Sequence, residues 1–104
     1  MADTFPIPVE AYFAASTPEQ IADCFTEDGV AVDEHHTHKG RDAILRWRED
    51  VSKISFRQDI QTFSRDGARV LVSCRVSGDF KGSPVDLDYV FVLEGDRIAR
   101  LEIT

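Results

Sequence analysis

The chain has 104 residues, in which twelve Lys and Arg stand against nineteen Asp and Glu for a net charge of -7. That length supports one core and one domain spanning residues 1–104, and so acidic a surface repels a phosphate backbone, which excludes nucleic-acid binding as a first reading. Apolar residues at 42% and charged residues at 30% match a folded globular domain and lie far from the apolar-poor composition of disordered chains.

After Pro6 and Pro8, the stretch Val9 to Ala15 holds Ala and aromatic residues with a single charge and predicts a short helix. Thr17-Pro18-Glu19-Gln20 starts a second one, with Thr at the N-cap, Pro at the first helical position and Gln completing a capping box, so the chain bends at Ser16 and Thr17. Ile21, Cys24 and Phe25 give this helix one apolar face, and Glu27-Asp28-Gly29 ends it. Val30 to Asp33 reads as a brief strand. Glu34 to Gly40 reads as a polar loop holding all three histidines. From Arg41 to about Ser52, Ile44, Trp47 and Val51 share one helical face; Trp47 anchors it to a sheet, while Arg46, Arg48, Glu49 and Asp50 mostly face water.

Beyond Lys53 the apolar period changes to two. Ile54, Phe56 and Ile60 fall at even spacings, Arg65-Asp66-Gly67 makes a hairpin turn, and Val70, Val72, Cys74 and Val76 alternate with polar residues. A loop from Gly78 to Pro84 leads into Val85 to Leu93, Glu94-Gly95-Asp96 turns again, and Arg97 to Thr104 follows. Arg57, Arg69 and Arg75 belong on a solvated or interface face. Short connections favour antiparallel neighbours, and the whole string predicts an α+β fold with its helices on one face of a sheet.

The longest strongly apolar run, Tyr89 to Leu93, is shorter than a membrane span by a factor of about four, so no membrane insertion is expected. The start Met-Ala-Asp-Thr shows no secretory pattern, which makes the cytoplasm the expected compartment. There Cys24 and Cys74, outside any C-x-x-C pattern, are expected to be reduced and buried.

Asp33 follows the apolar run Val30-Ala31-Val32, where a pocket wall holds a carboxylate away from bulk water and desolvation suits it to proton transfer. Read as a plain turn residue, it only opens the polar loop. Glu34, His35, His36 and His38 are of types that ligate zinc or iron, but so short a loop rarely brings three ligands to one ion, so no metal and no cofactor are expected. A His at a pocket mouth, bonding a ligand or shuttling a proton, is the better functional use of these side chains; otherwise they are exposed loop residues.

Tyr12-Phe13-Ala14-Ala15, the Phe25-Thr26-Glu27-Asp28-Gly29-Val30 strand entry, Gly40-Arg41-Asp42-Ala43-Ile44 and the final Gly95-Asp96-Arg97-Ile98 hairpin resemble a SnoaL-like protein. That places the chain beside ketosteroid isomerase, scytalone dehydratase and polyketide cyclases in the nuclear transport factor 2-like superfamily. The resemblance covers nearly the whole chain. It implies a cone-shaped, curved antiparallel sheet packed against N-terminal helices, an apolar pocket at the open end, and a homodimer. Carried over residue by residue, Asp33 matches the isomerase base and Tyr12 its oxyanion-donor tyrosine. His36, His38, Trp47 and Asp88 are the further candidates for binding a small apolar ligand, although alternation puts Asp88 on the face opposite Leu87, Tyr89, Phe91 and Leu93. The implied activity is cofactor-independent proton transfer on an apolar carbonyl compound by an isomerase, cyclase or dehydratase. The alternative is a non-catalytic binding or dimerisation module.

Overall fold

Proline is tolerated in a first helical turn because its missing N–H would be unpaired there anyway, and helix α1 (Ile7–Ala14) begins this way, between Pro6 and Pro8, in a computed structural model describing residues 5–104. Thr17 Oγ1 accepts the Gln20 amide at 3.2 Å and starts α2 (Pro18–Asp23). The reciprocal arm of this capping box reaches one residue further back than expected: Gln20 Oε1 accepts from the Ser16 amide at 2.7 Å, which fixes the bend between the helices.

Helix α2 stops at Asp23, so Glu27-Asp28-Gly29 lies inside strand β1 (Phe25–Asp33) and does not end a helix. Phe25 is fully buried and pairs with Ile98; the chain then bulges before pairing resumes at Val30. Arg41 secures the bulge, since its guanidinium donates to the Phe25 carbonyl at 3.1 and 2.8 Å. Within the expected histidine loop lies a further strand, β2 (His36–Lys39), antiparallel to β1 with Asp33 opposite His36. The two-residue turn between them holds Glu34 and His35 at φ 51 and 64. Side chains rarely adopt that left-handed region, and without the usual Asn-Gly signal the turn reads as loop.

Helix α3 (Arg41–Val51) packs on β1, β2 and α2 with Ile44 and Trp47 buried. Strands β3 (Phe56–Asp66), β4 (Arg69–Gly78), β5 (Val85–Glu94) and β6 (Arg97–Ile103) then run as an antiparallel meander, as their turns predict. The sheet order is β2-β1-β6-β5-β4-β3, and β1 runs parallel to β6. The sheet is therefore mixed, not wholly antiparallel. Short connections dictate direction only for strands that follow each other, and β1 and β6 are separated by most of the chain.

The inner face carries the expected alternation: Val70 pairs with Phe91, Val72 with Tyr89, and all four are buried. Cys24 and Cys74 are buried free thiols, in line with the sequence reading. Among the described residues no helix is long and apolar enough to cross a membrane.

Candidate functional site

Between α3 and the inner face of the sheet lies an open-ended cavity of about 730 Å³. Its exposed wall is mostly apolar, with Val51, Phe56, Val76, Val85 and Leu87 facing the space, while half of the residues around it are polar or charged. That mixture is characteristic of small-molecule sites.

Asp33 is the last residue of β1, on the inner face and half-buried, and its Oδ2 accepts the Trp47 indole N–H at 3.2 Å. Helix α3 thus holds one carboxylate oxygen and leaves the other uncommitted. Because β2 is a strand, His36 and His38 share the inner face with their partners Asp33 and Ala31. His38 stacks on Trp47 with ring centroids 5.6 Å apart and planes at 20°. Asp33, Trp47 and His38 therefore converge, with His36 exposed at the mouth beside them.

Tyr12 lies one layer behind the cavity. Its ring packs edge-on to Tyr89 and Phe91 at 6.3 and 5.4 Å, and its hydroxyl is buried with no hydrogen-bond partner among the described residues. Burial pushes its pKa well above the ordinary phenol range; the Arg48 charge opposes this, and Tyr89 and Asp33 add to it. The phenol on the cavity wall is Tyr89. Gln58 Nε2 donates to its oxygen at 2.7 Å, leaving the phenol proton free to be donated. Burial pushes the Tyr89 pKa up to about 12, against the pull of the Gln58 bond and of Arg48. The inward position of Tyr89 was legible from alternation; its pairing with Gln58 depends on the β3 register and was not.

Two expectations need correction. Arg48, expected to face water, is half-buried on the cavity wall, its guanidinium 5.8, 5.3 and 5.9 Å from the Tyr12, Trp47 and Phe56 ring centroids. Asp88 is not on the cavity wall and does not fit the substrate-binding role. It is exposed on the outer face and accepts from Ser73 Oγ at 2.7 Å, because residues adjacent along a strand point to opposite faces. Among the described residues, no three His, Cys, Asp or Glu side chains are grouped so as to hold a metal ion.

The sequence profile of the SnoaL-like domain matches residues 9–101. The chain belongs to the SnoaL-like domain family. No curated protein matches the sequence. Among solved structures, this SnoaL-like domain is similar to a candidate polyketide cyclase from Sinorhizobium meliloti, with 39% identity and a TM-score of 0.91 over 96% of this chain and 95% of the other. It shares the fold of a ketosteroid isomerase-like protein from Catenulispora acidiphila, solved with trimethylamine (24% identity, TM-score 0.85, 97% and 86% covered). The same holds for a nuclear transport factor 2-like protein from Cytophaga hutchinsonii (16%, TM-score 0.74, 93% and 85% covered).

The unpartnered hydroxyl of Tyr12 should weaken the SnoaL-like domain by about 1–3 kcal/mol, the usual cost of an unmatched buried polar group. Tyr12→Phe is therefore expected to raise the thermal midpoint by several degrees in a circular dichroism melt; a lowered midpoint would mean the hydroxyl is satisfied.

Alkaline pH acts on the same interior. Burial pushes the Cys74 thiol up to about 11 and raises Cys24, and with Tyr89 near 12 the folded SnoaL-like domain keeps protons that the unfolded chain releases near 9 and 10. The corresponding stability is complete below pH 9 and is lost as pH rises through about 11 to 12. Urea midpoints should fall steadily across that window, and a flat profile to pH 11.5 would contradict the assignment.

Proposed function

We propose that this SnoaL-like domain moves a proton on an apolar carbonyl compound held between α3 and the sheet. The observation carrying this reading is the Asp33 carboxylate, fixed through one oxygen by Trp47 at the edge of an apolar cavity and left with the other as a base. Asp33 takes a proton from the carbon next to the ligand carbonyl, and negative charge develops on the carbonyl oxygen. Tyr89 donates its phenol proton in a hydrogen bond to that oxygen; it remains protonated at neutral pH and has Gln58 behind it. Returning the proton to another carbon gives an isomerase, and attack of the enolate on a second carbonyl gives a cyclase. The similarity to the Sinorhizobium meliloti protein supports chemistry of this class. Trp47 and His38 flank the base, His36 stands at the entrance, and Tyr12 backs the site from behind.

2-Tetralone, an apolar two-ring ketone, tests the reading. Its benzylic protons next to the carbonyl should exchange with deuterium faster with the protein than in buffer alone, as read by proton NMR. Binding without faster exchange would sink the proton-transfer reading and leave a ligand-binding module.

The outer face of the sheet exposes Leu71 and Val92, each more than a third accessible, among the surface pairs Arg75–Asp86 and Ser73–Asp88. We propose this face as a homodimer interface. Light scattering should give twice the chain mass at micromolar concentration; the monomer mass would refute it.

A further inference from the structure

Besides its histidines the cavity is lined by two cationic side chains, Arg48, which is half-buried, and Lys81, which is exposed, and the proton transfer above needs neither. Three aromatic rings lie with their centroids 5.3 to 5.9 Å from the guanidinium carbon of Arg48, close enough to stabilise the cation. Its N–H donors remain. A guanidinium carries five donors and no acceptor, yet among the described residues none accepts a hydrogen bond from Arg48 and no carboxylate lies within ion-pair distance. The carboxylates near the mouth are otherwise engaged or exposed: Asp50 pairs with Lys53, Glu102 with Arg100, and Glu34 lies in the exposed turn. Asp33 is bonded to Trp47.

We infer that Arg48 anchors a carboxylate of the ligand, so that the cavity takes an apolar molecule bearing a carboxylate as well as its carbonyl. The planar fork of a guanidinium matches the two oxygens of a carboxylate. A single negative charge fits better than a dianion, because Asp33 shares the cavity and the protein carries a net charge of -7. Arg48 and Tyr89 line the same cavity, and the positive charge of Arg48 acts on that phenol, so a carboxylate held by Arg48 places the rest of the ligand along the wall where Tyr89 donates. The carbonyl part of this substrate class rests on the proposed proton transfer; the carboxylate part rests on Arg48 alone.

The test compares two probes of one skeleton, 2-naphthoate and the neutral 2-acetonaphthone, titrated into the full chain at pH 7.5 and followed by NMR. The parent should bind the acid at least tenfold more tightly than the ketone. Arg48→Met should lose at least tenfold for the acid and little for the ketone, and Arg48→Lys, which keeps the charge without the fork, should recover part of the difference. Equal affinities in the parent, no binding of either probe at millimolar concentration, or a Met variant that keeps the preference would overturn the inference. If Arg48→Met does not fold, the parent's preference and its reduction in Arg48→Lys decide the matter. The comparison reads binding alone, so a failure of 2-tetralone exchange removes the proton-transfer reading and leaves the anchor standing.

Discussion

Asp33→Asn is expected to lower the exchange of 2-tetralone at least a hundredfold and to leave the fold intact. An amide oxygen still accepts the Trp47 indole N–H, which the carboxylate accepts at 3.2 Å, so the contact between β1 and α3 survives. What is lost is the capacity to take a proton. General-base contributions of about a hundred- to ten-thousandfold are usual, so the variant should fall close to the buffer rate. Its thermal midpoint should move by no more than a few degrees, because the substitution keeps size and hydrogen bond and removes one half-buried charge. A turn residue with no part in the chemistry gives the opposite pair of results, with exchange unchanged and any penalty confined to stability. Measuring both quantities on one preparation separates the two roles.

Phe91→Ala is expected to be the most damaging single truncation. Phe91 is fully buried on β5, faces Val70 on one neighbouring strand and Leu101 on the other, and has the rings of Tyr12, Phe13 and Tyr89 within 5.4 to 6.4 Å. Neighbours fixed by two strand ladders and a helix cannot collapse into the space left behind. Phe→Ala losses of about 3–5 kcal/mol follow from transfer and cavity costs together, a large part of the roughly 5–15 kcal/mol that a domain possesses. The urea midpoint should drop by roughly 2–3 M with the slope of the transition preserved. A drop below about 0.5 M would show that the core repacks around the missing ring.

The meander was legible because two independent signals agree there: period-two apolar residues through Val70 to Val76 and Val85 to Leu93, and Asp-Gly or Gly-Asp at two of its three hairpin connections. The entry to β1 was not, since Ile21, Cys24 and Phe25 carry helical spacing and only the bulge held by Arg41 turns Phe25 into a strand residue. Strand β2 was hidden by its turn, where Glu34 and His35 take a backbone conformation no local residue type advertises. Asp33, Trp47 and His38 could be listed as candidates from residue type and position, and their convergence rests on the β1–β2 register. Arg48 escapes the helical pattern for a general reason: amphipathicity treats every Arg as solvated, whereas a guanidinium among aromatic rings belongs to an interior. The phenol on the wall was displaced in the same manner, from Tyr12 to Tyr89, because depth in the core is decided by packing between elements distant in sequence.

The parallel seam between β1 and β6 has a kinetic meaning. The meander of β3 to β6 is built from neighbours in sequence, whereas β1 joins it only by closing a loop that encloses most of the chain. Closure of that loop is the entropically expensive and late event expected of high-contact-order pairings. The two halves of the cavity lie on opposite sides of this seam: Asp33, Trp47 and Arg48 on the β1–α3 side, Gln58 and Tyr89 on the meander. A half-assembled chain therefore holds either Asp33 or Tyr89 in its place on the cavity wall, and not both. A ligand of the proposed kind, touching both sides, would stitch the seam shut, so that occupancy of the cavity and the cooperativity of the whole fold would become one property.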